Sequence, residues 1–170
     1  KKWRSESALA GKKWVVSYDE AYSSGSLNGL QVRSNLIWSS FTAGAAGVEL
    51  YFPRRDLIEQ NFKTYEPHWE FMRYAHEFFI NNNIPFYEME NQDAIVSDGW
   101  CFGKDLETYV IYLQNGGTTS IDLIGDYSIK WYDPRNGGEL LDGSITSVTG
   151  GNDVNLGLAP NNQNSDWVIL

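Results

Sequence analysis

Three carboxylates in the first fifty residues carry most of the chemistry this sequence could perform. The stretch "WVVSYDEAYSS" (14–24) ends an apolar run on Asp19 and Glu20. A carboxylate at a strand end can serve as nucleophile, general acid or general base. It can equally be a solvated loop charge or an N-cap for the next element. Successive strand residues face opposite ways, so Asp19 and Glu20 are not expected to enter one site together. The third acid, Glu49, sits inside the apolar run "GVELY" (47–51). Burying a carboxylate there is costly unless it is paired or functional. The structural reading is a buried ion pair with Arg33 or with another charge of the same fold. Tyr51 would share the face of Glu49, and either lines a site or packs in the core. Arg54 and Arg55 follow as a basic pair, suited to a carboxylate or sulfate or simply solvated.

Other chemistries find less support in the sequence. Cys101 is the only cysteine, so neither an intrachain disulfide nor a cysteine-built zinc cluster is expected. It lies in "GWCFG" among apolar neighbours, where an inert buried thiol is expected. His68 and His76 are eight apart, not at the i, i+4 spacing of a metal-binding helix. The scattered acids of "GGNDVNLG" (150–157) lack the spacing of a calcium loop. No metal and no other cofactor is expected. A net charge of −9 argues against a nucleic-acid or anionic-membrane surface, which needs basic patches. No apolar run is long enough to span a bilayer.

The elements that would position these residues fall into two groups. "KWVVSY" (13–18) reads as a strand buried on both faces. Residues 29–46 carry Leu30, Leu36, Ile37 and Phe41 at helical intervals and close in "AGAAG", where Gly47 can end the helix. "VELYF" (48–52) is again a strand. "YEPHWEFMRYAHEFF" (65–79) places Trp69, Met72, Ala75 and Phe79 on one face, beside Phe71 and Phe78. "NNN" (81–83) stops it. Strand, helix, strand, helix implies a parallel α/β arrangement. Two strands cannot form a free-standing parallel sheet with both faces covered. The remaining strands are expected N-terminal to Lys1, and "KKWRSESALAGKKW" reads as an entry into a longer chain. From about residue 84 short β-rich runs take over, among them "IPFYEM", "AIVS", "TYVIYL", "TSIDLI", "YSIKWY" and "WVIL". "NGG" marks turns at 115–117 and 136–138. Such a pattern predicts an antiparallel β-sandwich. The boundary is placed at Asn81–Ile84, giving units 1–83 and 84–170.

In order along the chain, "KWVVSYDEA", "TAGAAGVELYF", "NNIPFYEME", "ETYVIYLQNGGTTSIDL", "WYDPRNGG" and "SDWVIL" resemble a bacterial family of secreted glycoside hydrolase-like proteins. Those proteins have a (β/α)8 barrel followed by a β-sandwich catalogued as the collagen-binding domain of a collagenase. The resemblance covers nearly the whole chain. It implies an α/β plus all-β fold, the terminal βα units of a barrel followed by the sandwich, with "WVVSY" and "VELYF" as the seventh and eighth barrel strands. The sandwich would then pack on the helix 65–80. Barrel enzymes carry their chemistry at the C-terminal ends of strands, and the resemblance makes Glu20 the candidate nucleophile, with Glu49 the runner-up. The same resemblance would put Asp19, Tyr51, Arg54 and Arg55 near substrate. The acid/base residue would lie upstream of Lys1, so this chain alone is expected to be inactive. The implied partners are a polysaccharide and the missing N-terminal part of the same barrel, in a secreted or extracytoplasmic setting.

A second class of function stays open: a non-catalytic module that binds carbohydrate or matrix protein, or serves structure alone. In "WYDPRNGG" (131–138), Pro134 fixes φ, Asp133 can bond the amides ahead of it, and Asn136-Gly137-Gly138 supplies positive φ. A structural hairpin is expected there. Trp131, Tyr132 and Arg135 could instead form a ligand platform. Trp100, Tyr109 and Tyr112 are expected in the core.

Overall fold

The computed structural model describes residues 1–21, 27–50 and 62–170. Helices and antiparallel sheets are combined, with one parallel strand pair near the N-terminus. The chain begins with helix α1 (Lys2–Leu9), which the sequence pattern does not announce because Ser7 is its only buried residue. Arg4 anchors it. The guanidinium donates to the carbonyls of Gly44 (2.6 Å) and Met89 (3.2 Å), and burial lowers its pKa.

Strand β1 (Ser17–Ala21) pairs in parallel with β2 (Gly47–Leu50). The β-branched run Val15–Val16 suggests a strand over 13–18. Hydrogen bonding to β2 instead selects Ser17–Ala21, so Asp19 and Glu20 lie within the strand rather than beyond it. Nor are both faces buried: Trp14 is 59% exposed, Val15 85% and Tyr18 42%.

Between the two strands runs a helical stretch of three pieces. It opens with α2 (Gly29–Gln31), capped by a reciprocal box in which Asn28 and Gln31 each bond the other's backbone N–H. A π-helical segment, Val32–Trp38, follows, and α3 (Ser39–Thr42) completes it. The stretch ends at Gly44, with φ +80, and not at Gly47. A Cβ at Gly44 would collide with the Arg4 guanidinium. Gly44 therefore meets two demands, left-handed backbone and close approach.

Helix α4 (Glu66–Asn81) buries Ala75, Phe78 and Phe79, as its periodicity predicts. Trp69, expected on that face, is 38% exposed. Asn82 Nδ2 donates to the Phe78 carbonyl (2.8 Å) and Asn83 turns into positive φ, so "NNN" does end the helix. "IPFYEM" is not a strand. Its residues Phe86–Glu88 form a 3-10 turn behind Pro85, because proline withholds a ladder N–H.

The second half is antiparallel. β3 (Glu90–Asn91), β4 (Trp100–Lys104), β5 (Thr108–Leu113), β9 (Trp167–Ile169) and β7 (Trp131–Tyr132) form one sheet in that order. β6 (Ser120–Ser128) and β8 (Ser147–Asn155) form a second, two-stranded sheet. "YSIKWY" is thus divided between β6 and β7. The five-stranded sheet is covered on both sides, and its residues alternate between two cores. Phe102, Val110, Tyr112, Tyr132 and Val168 pack with α4 and the π-helical segment. Cys101, Ile111, Leu113, Trp131 and Ile169 pack with Ile121 and Leu123 of β6. Burial on both faces explains why "TYVIYL" reads as continuously apolar. Cys101 is fully buried, and burial pushes its thiol up to about 12.

Candidate functional site

The parallel pair brings Asp19, Glu20 and Glu49 to one level along the strands. Its register runs Ser17 to Gly47, Tyr18 to Val48, then Ala21 to Leu50, with an irregularity between Tyr18 and Ala21. Two residues of β1, Asp19 and Glu20, therefore face one residue of β2, Glu49. That two-to-one count is the signature of a β-bulge, a device that re-aims side chains and is enriched beside active sites.

Asp19 and Glu49 are both exposed; only the backbone of Glu20 belongs to the description. The exposure of Glu49 removes the desolvation cost that its apolar neighbours suggested. Its expected ion pair with Arg33 does not form, because Arg33 has a different partner. Tyr51, Arg54 and Arg55 lie outside the described residues.

Arg33 belongs to a buried polar group with Asp166 and Tyr112. Its Nε and Nη2 donate to the two carboxylate oxygens of Asp166 at 2.7 and 2.8 Å. The Tyr112 hydroxyl donates to the same carboxylate at 2.9 Å. All three residues are buried, Asp166 to within 2%. The guanidinium also lies over the Phe71 ring, 4.6 Å from its centroid. Burial, then the charge of Asp166 and the hydrogen bond to it, raises the Tyr112 pKa strongly. Tyr112 itself stacks between Trp38 and Trp100, each 5.6 Å away by ring centroid. The π-helical segment directs Arg33 inward, and the residue before β9 supplies Asp166. The group thus ties the helical half to the last strand. Tyr112 is a core residue, as expected, and Trp100, partly buried, packs against that core.

"WYDPRNGG" folds as the anticipated turn. Asp133 accepts from the backbone N–H of Arg135 (2.9 Å), from Arg135 Nε (2.6 Å) and from Asn136 Nδ2 (2.9 Å). Burial opposes ionisation of Asp133, but these bonds outweigh it and hold the carboxyl below its ordinary value. The chain then returns to pair Leu141 with Trp131. Gly137, at φ +67, is pressed against Tyr74, leaving no room for a Cβ. The Trp131 and Tyr132 rings are buried, so they offer no platform to a ligand. Arg135 instead lies over the Trp167 ring at 4.7 Å.

Among the described residues no group of three or more His, Cys, Asp or Glu side chains is arranged to hold a metal ion. Among them, too, no helix is long and apolar enough to cross a membrane. No family model matches the chain, and no curated protein matches it.

Proposed function

We propose that this chain is the C-terminal portion of a secreted glycoside hydrolase-like protein acting on polysaccharide. In this reading β1 and β2 are neighbouring strands of a (β/α)8 barrel whose other strands come from the N-terminal part of the same protein. The β-rich half is its accessory β-sandwich. Glu20 is the nucleophile, and an acid/base carboxyl upstream of Lys1 protonates the leaving oxygen. If the two carboxyls stand roughly 5–5.5 Å apart, cleavage retains configuration; at roughly 6.5–9.5 Å it inverts. Asp19, Glu49, Tyr51, Arg54 and Arg55 would border the sugar.

The observation that supports this reading is the bulged parallel pair, with Asp19 and Glu20 opposite Glu49 near the C-terminal ends of both strands. That is the end at which barrel enzymes carry their chemistry. The open, apolar surroundings of β1 fit a strand made to have further neighbours.

A second reading, a non-catalytic carbohydrate- or matrix-binding module, draws on the exposure of Asp19 and Glu49. A general acid is usually partly desolvated so that its pKa rises. One experiment separates the two. The intact protein, with its upstream residues, is assayed for release of reducing ends from polysaccharides and for retention on polysaccharide and collagen. Hydrolysis that Glu20→Gln abolishes without loss of fold is the expected result. Unchanged turnover in that variant overturns the role of Glu20. Retention without any hydrolysis favours the module.

A further inference from the structure

The two Asn-Gly-Gly turns, at 115–117 and 136–138, share a sequence but not an environment. A third Asn-Gly pair, Asn28-Gly29, opens α2. Such pairs carry a reactive geometry, because a following glycine lets its backbone nitrogen approach the asparagine side chain closely. In the turn after Tyr132 one residue holds both reacting groups. Asn136 Nδ2 donates to Asp133 Oδ2 (2.9 Å), and the Gly137 N–H donates to the Asp133 carbonyl (2.9 Å). Asn28 is held by its capping box, where Oδ1 accepts from the Gln31 N–H at 2.9 Å. Asn115 has no such hold. It is exposed at the turn after β5, and its side chain makes no hydrogen bond among the described residues. Gly116 is buried, so its N–H must part from the Leu113 carbonyl before a base reaches it. That bond is 3.4 Å long, beyond the ordinary range.

From this contrast we propose that Asn115 is a site of spontaneous deamidation and the first of the three pairs to convert. The Gly116 nitrogen gives its proton to a solvent base and attacks Asn115 Cγ. A bond forms between that nitrogen and Cγ, the bond from Cγ to Nδ2 breaks, and ammonia leaves. Water then opens the cyclic imide at either carbonyl. The product is aspartate, or isoaspartate with the main chain routed through the β-carbon, and each adds one negative charge. Isoaspartate also lengthens a turn that has no spare room. The Gly117 N–H donates to the Gln163 carbonyl at 2.7 Å, and a Cβ on Gly116 would collide with the carbonyls of Gln163 and Ser165. Those residues lead into Asp166 and β9, so the modification loosens the seat of the last strand. It is independent of the carboxylates of β1 and β2.

The 170-residue chain is incubated in mildly alkaline buffer, folded and in urea. Peptide mapping by mass spectrometry follows the exchange of ammonia for water at each pair. With each folded rate referred to the same pair's rate in urea, Asn115 should convert at least roughly tenfold faster than Asn136, the worth of the bonds that hold the latter. Asp133→Ala frees Asn136 and should speed its conversion roughly threefold to tenfold, leaving Asn115 unchanged. Asn115→Gln should abolish the early release of ammonia. The isoaspartate form, separated by ion exchange, should melt at a lower temperature than the unconverted chain, and equal melting would overturn the link to β9. The site assignment fails if Asn136 or Asn28 keeps pace with Asn115, if Asn115 converts only in urea, or if Asp133→Ala leaves Asn136 protected.

Discussion

The two kinds of sheet in this chain differ in how completely they are covered. The five-stranded antiparallel sheet is buried on both faces, and its strands alternate residue by residue between two apolar cores. The parallel pair β1–β2 is approached by Trp14 and Val15, which stand open to solvent, and Tyr18 within β1 is also exposed. Trp3 and Leu9 of α1 are exposed as well. Apolar exposure is common on proteins, but a run of large side chains around one short parallel pair is not. Parallel strands ordinarily occur in sheets covered on both sides. The five-stranded sheet thus answers its own packing demands, while the parallel pair offers surface that the described residues leave uncovered.

The contrast can be broken most forcefully at the buried ionic group. Asp166→Ala removes the carboxylate that holds both Arg33 and Tyr112 and leaves a guanidinium in the interior. A loss of about 3–5 kcal/mol is expected, the cost of breaking a buried pair from one side. Urea unfolding of the 170-residue chain measures it. A loss below about 1 kcal/mol would show that the group does not join the helical half to β9 in the way described.

A smaller effect is expected at Asp133. Its folded-state pKa lies below the ordinary value near 3.8. The stabilisation is therefore complete above that value and is lost as pH falls through the folded pKa. Asp133→Asn should lower the melting temperature at pH 7 and flatten the acid limb of stability against pH. Parallel curves for the two proteins would reject the hydrogen-bond account of this turn.

The smallest effect belongs to the open side. Val15→Ser and Trp14→Ser should each change the stability of this chain by no more than about 0.5 kcal/mol, as exposed positions do. If the intact protein adds strands beside β1, the same changes should cost it several times more. Equal, small effects in both proteins would mean that nothing covers this surface.

How much of this was legible in the sequence depended on the range of the interactions. β5 could be read because burial on both faces leaves an unbroken apolar run, and α4 because Ala75 and Phe79 keep helical spacing. The turn after Tyr132 could be read because Pro, Asn and Gly act locally. β1 starts four residues and ends three residues later than its apolar run suggests, because Val15 and Val16 have strand propensity, whereas pairing with β2 decides. α1 has no apolar stripe and is held by polar contacts of Arg4 and Ser7. Arg33 and Asp166 could not be matched from the sequence, since 133 positions separate them and no local pattern marks the pair. Of the candidate site, the strand-end acids were legible by type. The bulge that levels Asp19 and Glu20 with Glu49 was not, because it appears only in the register.

One consequence concerns synthesis. β9 lies between β5 and β7, yet both of those strands precede it in the chain. A ribosome delivers residues 133–166 after β7 and before β9. At about 5–20 residues per second that interval lasts on the order of seconds. Throughout it, β5 and β7 have facing edges with their backbone donors and acceptors unfilled. The nascent chain must keep these two edges from pairing with each other, or with a neighbouring nascent chain, until Trp167–Ile169 arrives to part and join them.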